Sequence, residues 1–496
     1  MFSKHNESCV SFTSTWKTEQ SLEAGSTQTD DIVQQERECQ VVEQAEVGTQ
    51  TEEEEARNLD HREYDEVSLA AFLKSMAPKV IRELERQNRS RAFHGYSVAK
   101  EEESIGVKLL HTLRWNLLHP EGVVTCISWS CTGSVIGVSY GSKDHDDWCD
   151  HKGSVAVWNI NRNDFDANQP ERVIETSSCV LSLAFHPNNP AVFAVGTFNG
   201  EVLVYNLSHT EEVTPLDVGE CGGGSVTTLT WVNNLAGEVA ASRTLSTLVA
   251  TTSGGFILVW GLNLTKQQLA LKSGYMLQGQ DAPRGIRTHM DGSSGVGITA
   301  ASFNAEDSNL FVLGAEGGSL FLCSATSEVP SGVEFSGVGL MRCVSSTLAP
   351  HSGRVITGQF SPHHRNAILS AASDNEIRLF TILQPNKPVS VIHAEEGIAC
   401  VRWSLSRPLV VAVGRLTGEV ALYDLGVKNC QPFLILPAAA KPSPITVLQF
   451  NKKNMKVLAC GDQLGRVCVW NLPNNAVSPL SSELSSLHTL LDNIVD

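Results

Sequence analysis

From about Val124 to Leu472 the chain is written in short apolar runs rich in valine, isoleucine and leucine, broken by Gly, Asn, Asp and Ser. Alternation with a period of two residues marks half-buried β-strands, and almost none of this stretch follows the 3.6-residue period of a helix. The runs also repeat. Seven segments share one layout, over 124–160, 180–207, 226–262, 298–325, 355–382, 398–425 and 445–472. Each carries an anchor on its first strand: Trp129, Phe185, Trp231, Phe303, Phe360, Trp403 and Phe450. Each ends on a second anchor: Trp158, Tyr205, Trp260, Cys323, Phe380, Tyr423 and Trp470. Five copies keep one anchor-to-anchor interval, that from Phe185 to Tyr205, and the other two share a longer one, that from Trp129 to Trp158. Such regularity calls for one structural unit used seven times.

A single small sheet leaves both faces wet. Stacked radially, each sheet covers the next and only short edges remain. The expected fold is therefore all-β, a seven-bladed β-propeller spanning 107–473. The strand-like segment 107–113 (VKLLHTL) precedes the first copy and is expected to supply the outer strand of the seventh blade, latching both ends of the ring. Two polar stretches, 140–153 and 263–297, are expected to be exposed rim loops.

The segment 64–91 breaks the two-residue period. Leu69, Phe72, Leu73, Met76, Val80 and Leu84 recur at helical spacing and give one apolar stripe, with Asp65 and Glu66 at the start and Arg82, Arg86 and Arg89 toward the end. Pro78 interrupts it, so a kink there or a second helix begun at Ser75 is expected. Standing outside the ring, such a stripe is expected to meet a partner protein, with packing on the propeller as the alternative. A tail at 474–496 carries Leu484, Leu487, Leu491 and Ile494 on one side of a short helix.

Charge divides the chain again. Of a net −17 over 496 residues, the segment 1–63 holds −10, with 15 acidic and 5 basic side chains and few large aliphatics. It cannot bury enough apolar surface to offset backbone ordering and is expected to be disordered. It contains Thr27-Gln28-Thr29 and Thr49-Gln50-Thr51, two closely spaced copies of one tripeptide. Alternating threonines favour extended backbone, which can pair with an open sheet edge while the glutamine bonds across a groove, and two such sites in series reinforce each other.

Acidity argues against nucleic acid, and no apolar run is long enough for membrane insertion. The first residues do not read as a secretory signal, and thirteen scattered cysteines fit an intracellular protein with reduced thiols. The glycine clusters 222–224 and 292–297 are followed by no Gly-Lys-Ser/Thr and read as loops. His363 and His364 point apart if they sit on a turn, and Asp144, His145, Asp146 and Asp147 read as solvated charge, so no metal, cofactor or catalytic residue is expected.

The repeats resemble the WD-repeat family, with Trp-Asn, Tyr-Asn or Tyr-Asp at the second anchor. The Gly-His pair of many such repeats is missing, and with it any expectation of their Asp–His–Ser–Trp network. An acidic leader with paired T-Q-T motifs, then LAAFLKSMAPKVIREL, then blade wording such as SWSCTGSVIGVSYGSKDHDDW, resembles the WD-repeat dynein intermediate chains, and among them the cytoplasmic dynein 2 branch. That resemblance implies a non-catalytic motor subunit of the cilium, axoneme, basal body and cytoplasm, working in retrograde intraflagellar transport. It implies that Thr27–Thr29 and Thr49–Thr51 bind the eight-kilodalton dynein light chain and that the stripe Leu69–Leu84 binds a roadblock-type light chain. A second intermediate chain and the dynein 2 heavy-chain tail, gripped by the propeller, complete the implied set. A general WD-repeat scaffold, such as a ubiquitin-ligase substrate receptor, and a propeller enzyme using the central channel are the competing readings.

Overall fold

The computed structural model describes residues 65–89, 106–116, 122–142, 145, 148–208, 213–233, 235, 245–283, 294–427, 431–437, 441–480 and 482–492. Both T-Q-T motifs, Asp144, Asp146, Asp147 and Ile494 lie outside the described residues. The chain forms two units, divided near Ser90.

The first unit is helix α1, Glu66–Arg89. Asp65 caps it: its carboxylate accepts from the Val67 amide at 3.1 Å and its carbonyl from the Leu69 amide at 2.9 Å. Of the two outcomes expected at Pro78, a second helix begun at Ser75 is not found. The helix continues through the proline, which removes one amide donor at a cost of about 3 kcal/mol. Alanine, leucine, lysine, glutamate and arginine on both sides favour the helix strongly enough to carry it across.

The second unit is a ring of seven antiparallel blades. Their first strands are Val123–Trp129, Val180–Phe185, Val226–Val232, Ile298–Phe303, Val355–Phe360, Ile398–Trp403 and Ile445–Phe450, each packed beside the next, with the seventh returning to the first. The blade built on Ile445–Phe450 takes its outer strand from Lys108–Arg114, which pairs antiparallel with Arg466–Asn471 and closes the circle.

The register explains the constant interval. In every blade the first anchor faces a residue of the second strand that in turn faces the second anchor, as in Phe185–Phe193–Tyr205 or Phe450–Leu458–Trp470. The two long copies gain their extra length at different places. Blade 1 is extended between Val135–Gly141 and Gly153–Asn159, and blade 3 between Val226–Val232 and Leu245–Thr252.

Two further repeats shape the wedge. Each first strand is bulged near its start, which bends it at the same place seven times. The third residue beyond the second-strand partner is Ser139, Gly196, Thr251, Gly314, Ala371, Gly414 or Gly461. A Cβ added at Gly196, Gly314, Gly414 or Gly461 would crowd the first strand of the next blade, meeting Val226, Val355, Ile445 or Val124 at 2.4–2.8 Å. Small residues are required because neighbouring sheets converge there.

The expectation for residues 263–297 needs correction. Residues 263–297 are not simply a rim loop: Gln268–Met276 forms the outer strand of blade 3, paired with Phe256–Asn263. Its polar side chains are those of an edge strand wet on one face. A hairpin of Pro330–Phe335 and Val338–Met341, inserted before the outer strand of blade 4, reaches back to the same sheet through Tyr275 and Met341. Tyr275 Oη donates to Ala325 O at 2.6 Å, and Arg342 pairs with the buried Asp281, so blades 3 and 4 are strapped together.

The tail is also part of the ring unit. After the short helix α2 (Asn474–Val477), helix α3 (Glu483–Asp492) buries Leu487 and Leu491 among Leu369, Leu379, Trp403 and Leu409 of blades 5 and 6. Leu484, grouped with Leu487 and Leu491 by its spacing, is exposed, and Glu483 is buried. Arg407 is the reason: its Nε donates to Glu483 Oε1 at 2.7 Å and its Nη1 to Asn475 O at 2.9 Å, drawing the acidic end of α3 inward.

Candidate interaction surfaces and polar clusters

The stripe on α1 groups several exposed large apolar side chains on one helix. Phe72 is 59% exposed, Leu73 54%, Leu84 53%, Val80 51% and Leu69 47%; Met76 is half-buried, and Ile81 widens one edge. All six residues singled out from the sequence share this helix and, by their spacing, one side of it. Each large apolar side chain is worth about 1.5–3 kcal/mol when fully buried, so the stripe holds substantial unused binding energy.

Polar staples hold the ring from blade to blade. The residue after the first anchor caps the following turn: Asn304, Ser404 and Asn451 each accept from two backbone amides. Some reach onward as well. Asn304 Nδ2 donates to Arg365 O and Asn451 Nδ2 to Gly133 O, both at 2.7 Å, and His186 Nε2 donates to Ser246 Oγ at 2.6 Å. His186 Nδ1 accepts from the amides of Asn188 and Asn189, which fixes the tautomer, and burial holds its pKa below the ordinary 6.5.

Blade 5 contains a WD-type network that the missing Gly-His pair had argued against. Pro350-His351 supplies the histidine, whose Nδ1 lies 2.9 Å from Asp374 Oδ2 and whose Nε2 lies 2.7 Å from Ser370 Oγ. Burial, then the Arg378 charge, lowers the His351 pKa, so a neutral ring donates to Asp374 and accepts from the Ser370 hydroxyl. His351, Asp374 and Glu376 also converge as metal donors would, but Arg378 already pairs with Glu376 at 2.6 Å. A guanidinium occupies the place a cation would take, and the cluster is structural. His363 and His364 diverge as expected: His363 Nε2 donates to Ser404 O at 2.8 Å, while His364 meets the His488 ring of α3 at 4.7 Å.

A second cluster joins His145, Cys149 and His151 of the blade 1 extension with Cys179 in the turn entering blade 2, their donor atoms within 4.8 Å of one another. Sequence reading weighed only His145 of these four, with its acidic neighbours. Cys179 lies beyond the whole outer strand of blade 1, Arg172–Thr176, and only the closing of that blade brings it back to His151.

A cleft of about 230 Å³ beside Trp158 is lined by Arg162, Asp164, Phe165, Asp166, Gln169 and Glu171. It is smaller than the roughly 300–1,000 Å³ of small-molecule sites, and Arg162 is already paired with Asp164 at 2.8 Å and Glu171 at 3.1 Å. Among the described residues no helix is long and apolar enough to cross a membrane.

Seven wedge-shaped sheets with anchor rows and inter-blade staples, preceded in sequence by a helix with its apolar side exposed, define a WD-repeat β-propeller protein. No family model matches the chain. It is 37% identical over 474 residues to cytoplasmic dynein 2 intermediate chain 2 of Mus musculus, covering 93% of this chain and 87% of the relative. Against the Homo sapiens protein of that name the identity is again 37%, over 83% of this chain and 77% of the relative. With the cytoplasmic dynein 1 intermediate chain of Drosophila melanogaster it falls to 23%, over 75% of this chain and 51% of the relative. The chain belongs to the WD-repeat dynein intermediate chain family.

Proposed function

We propose that the chain is a non-catalytic intermediate chain of cytoplasmic dynein 2 that assembles the motor for retrograde intraflagellar transport and cilium assembly. One observation carries this reading: the 37% identity extends over 93% of the chain, past the propeller and into the segment before it. The exposed stripe of α1 is what such a role needs. Leu69, Phe72, Leu73, Met76, Val80 and Leu84 form the face on which a roadblock-type light chain docks, as an amphipathic helix lies in an apolar groove. Thr27–Thr29 and Thr49–Thr51 take the eight-kilodalton light chain as added strands. The dimeric light chains bridge to a second intermediate chain, and the propeller grips the heavy-chain tail. Its place of work is the cytoplasm, cilium, axoneme and basal body.

The test is affinity purification of the tagged full-length chain from ciliated cells, wild type against Phe72→Asp/Leu73→Asp and against Gln28→Ala/Gln50→Ala. The first variant should lose the roadblock-type light chain and keep the heavy chain; the second should lose the eight-kilodalton light chain alone. Recovery of ubiquitin-ligase subunits without any dynein component would replace this reading with that of a substrate receptor.

A further inference from the structure

We propose that His145, Cys149, His151 and Cys179 form a structural zinc site that staples the blade 1 extension to the seam between blades 1 and 2. Two thiols and two imidazoles are a donor set that Zn²⁺ takes in tetrahedral form and that Ca²⁺ and Mg²⁺ refuse. With Zn–S near 2.3 Å and Zn–N near 2.0–2.1 Å, the donors of such a site stand about 3.4–3.8 Å apart. Cys149 Sγ and His151 Nδ1 are already at 3.8 Å, and all four donor atoms lie within 4.8 Å, so closure needs only a small adjustment of side chains.

The surroundings are built to hold these side chains. The Ser142 amide donates to Cys179 Sγ at 3.1 Å and the Cys179 amide to Cys149 Sγ at 3.4 Å, so each sulfur has a backbone N–H to stabilise negative charge. Asn199, on a turn of blade 2, clamps the Cys149 backbone from both sides: its Oδ1 accepts from the Cys149 amide and its Nδ2 donates to the Cys149 carbonyl, each at 3.0 Å. The His145 ring stacks on Phe198 at 4.2 Å and stands perpendicular to the His151 ring, the two centroids 5.5 Å apart. Both cysteines are buried while His151 is exposed, which leaves the metal a way in. The sequence places Asp144, Asp146, Asp147 and Asp150 among the ligands, a local negative charge that attracts cations.

Without metal, both thiols lie close enough to donate to the His151 carbonyl, at 3.6 Å from Cys149 and 3.9 Å from Cys179. Binding releases the two thiol protons to solvent, the sulfur lone pairs turn to the ion, and the two neutral imidazoles each contribute one nitrogen. The resulting clamp fixes a loop whose Trp148 is 65% exposed, presenting that indole in a set direction.

The experiment is metal analysis of the untagged full-length chain, purified without chelator, by inductively coupled plasma mass spectrometry. About one zinc per chain is expected, falling at least about tenfold in Cys149→Ser/Cys179→Ser and in His151→Ala. Should the double serine variant fail to fold, His151→Ala changes an exposed residue, and exchange of wild type into cobalt(II) should give thiolate-to-metal charge-transfer absorption that His151→Ala weakens. Less than about a tenth of a zinc per chain after dialysis against added zinc would overturn the proposal. Equal zinc in wild type and all variants, or a Cys149–Cys179 disulfide found by mass mapping of alkylated protein, would overturn it too.

Discussion

Helices α1 and α3 are written in the same amphipathic code and end in opposite situations. On α3, Leu487 and Leu491 are almost fully buried between blades 5 and 6, and a paired charge, Glu483 with Arg407, is buried with them. On α1, Phe72, Leu73, Val80 and Leu84 are more than half exposed, and no acidic or basic side chain described there is buried. The period of an apolar stripe therefore fixes which face wants cover, while the supply of cover depends on what the rest of the chain can bring. The ring supplies it for α3. For α1, on our proposal, it comes from another molecule, a light chain.

The largest effect that would break this contrast is expected at Arg407. Arg407→Ala leaves Glu483 buried without its partner and should cost about 3–5 kcal/mol, read as an earlier unfolding midpoint in denaturant. Leu487→Ala opens a cavity under α3 and should cost about 2–4 kcal/mol by the same measurement. Phe72→Ala should leave the unfolding midpoint of the ring unchanged and weaken light-chain binding by about 1–3 kcal/mol in calorimetry. If Phe72→Ala instead lowered stability as Leu487→Ala does, the two helices would not differ in the way described.

A smaller effect is expected from pH. Burial, then the nearby His488, holds His364 below its ordinary pKa of 6.5, and burial does the same for His186 and His351. The folded state keeps these rings neutral while the unfolded chain takes up protons below that value. Their contribution to stability is thus complete above pH 6.5 and is lost as the pH falls further. Protection factors of the α3 amides, taken against intrinsic exchange at each pH, should fall as the pH drops below 6.5, because His364, on which α3 packs, resists protonation in the folded state. Helix α1 carries no histidine, so light-chain docking through it should not share that dependence.

The ring was legible because its signal is local and repeated: alternation makes the strands, and the anchor row makes the constant interval. What escaped was of another kind. Gln268–Met276 reads as a polar loop because an outer strand needs only one apolar face. Arg407, far back in the chain on blade 6, draws Glu483 inward at the start of α3, while Leu484 stays exposed. At Pro78, good helix formers on both sides keep a single helix where a second one begun at Ser75 was one of two expected outcomes. The His351 network escaped because a proline stands where the motif has glycine, and the His145–Cys179 cluster because its fourth member arrives only when blade 1 closes. Sequence reading located the α1 stripe residue by residue; its exposure came from the fold.

The account rests most directly on α1 being a docking surface whose partner lies outside this chain. Hydrogen–deuterium exchange of the full-length protein, with and without a purified roadblock-type light-chain dimer, tests it. Protection gained across 66–89, with the seven blades unchanged, is the expected result; no change in that helix, or protection confined to the propeller, would contradict it.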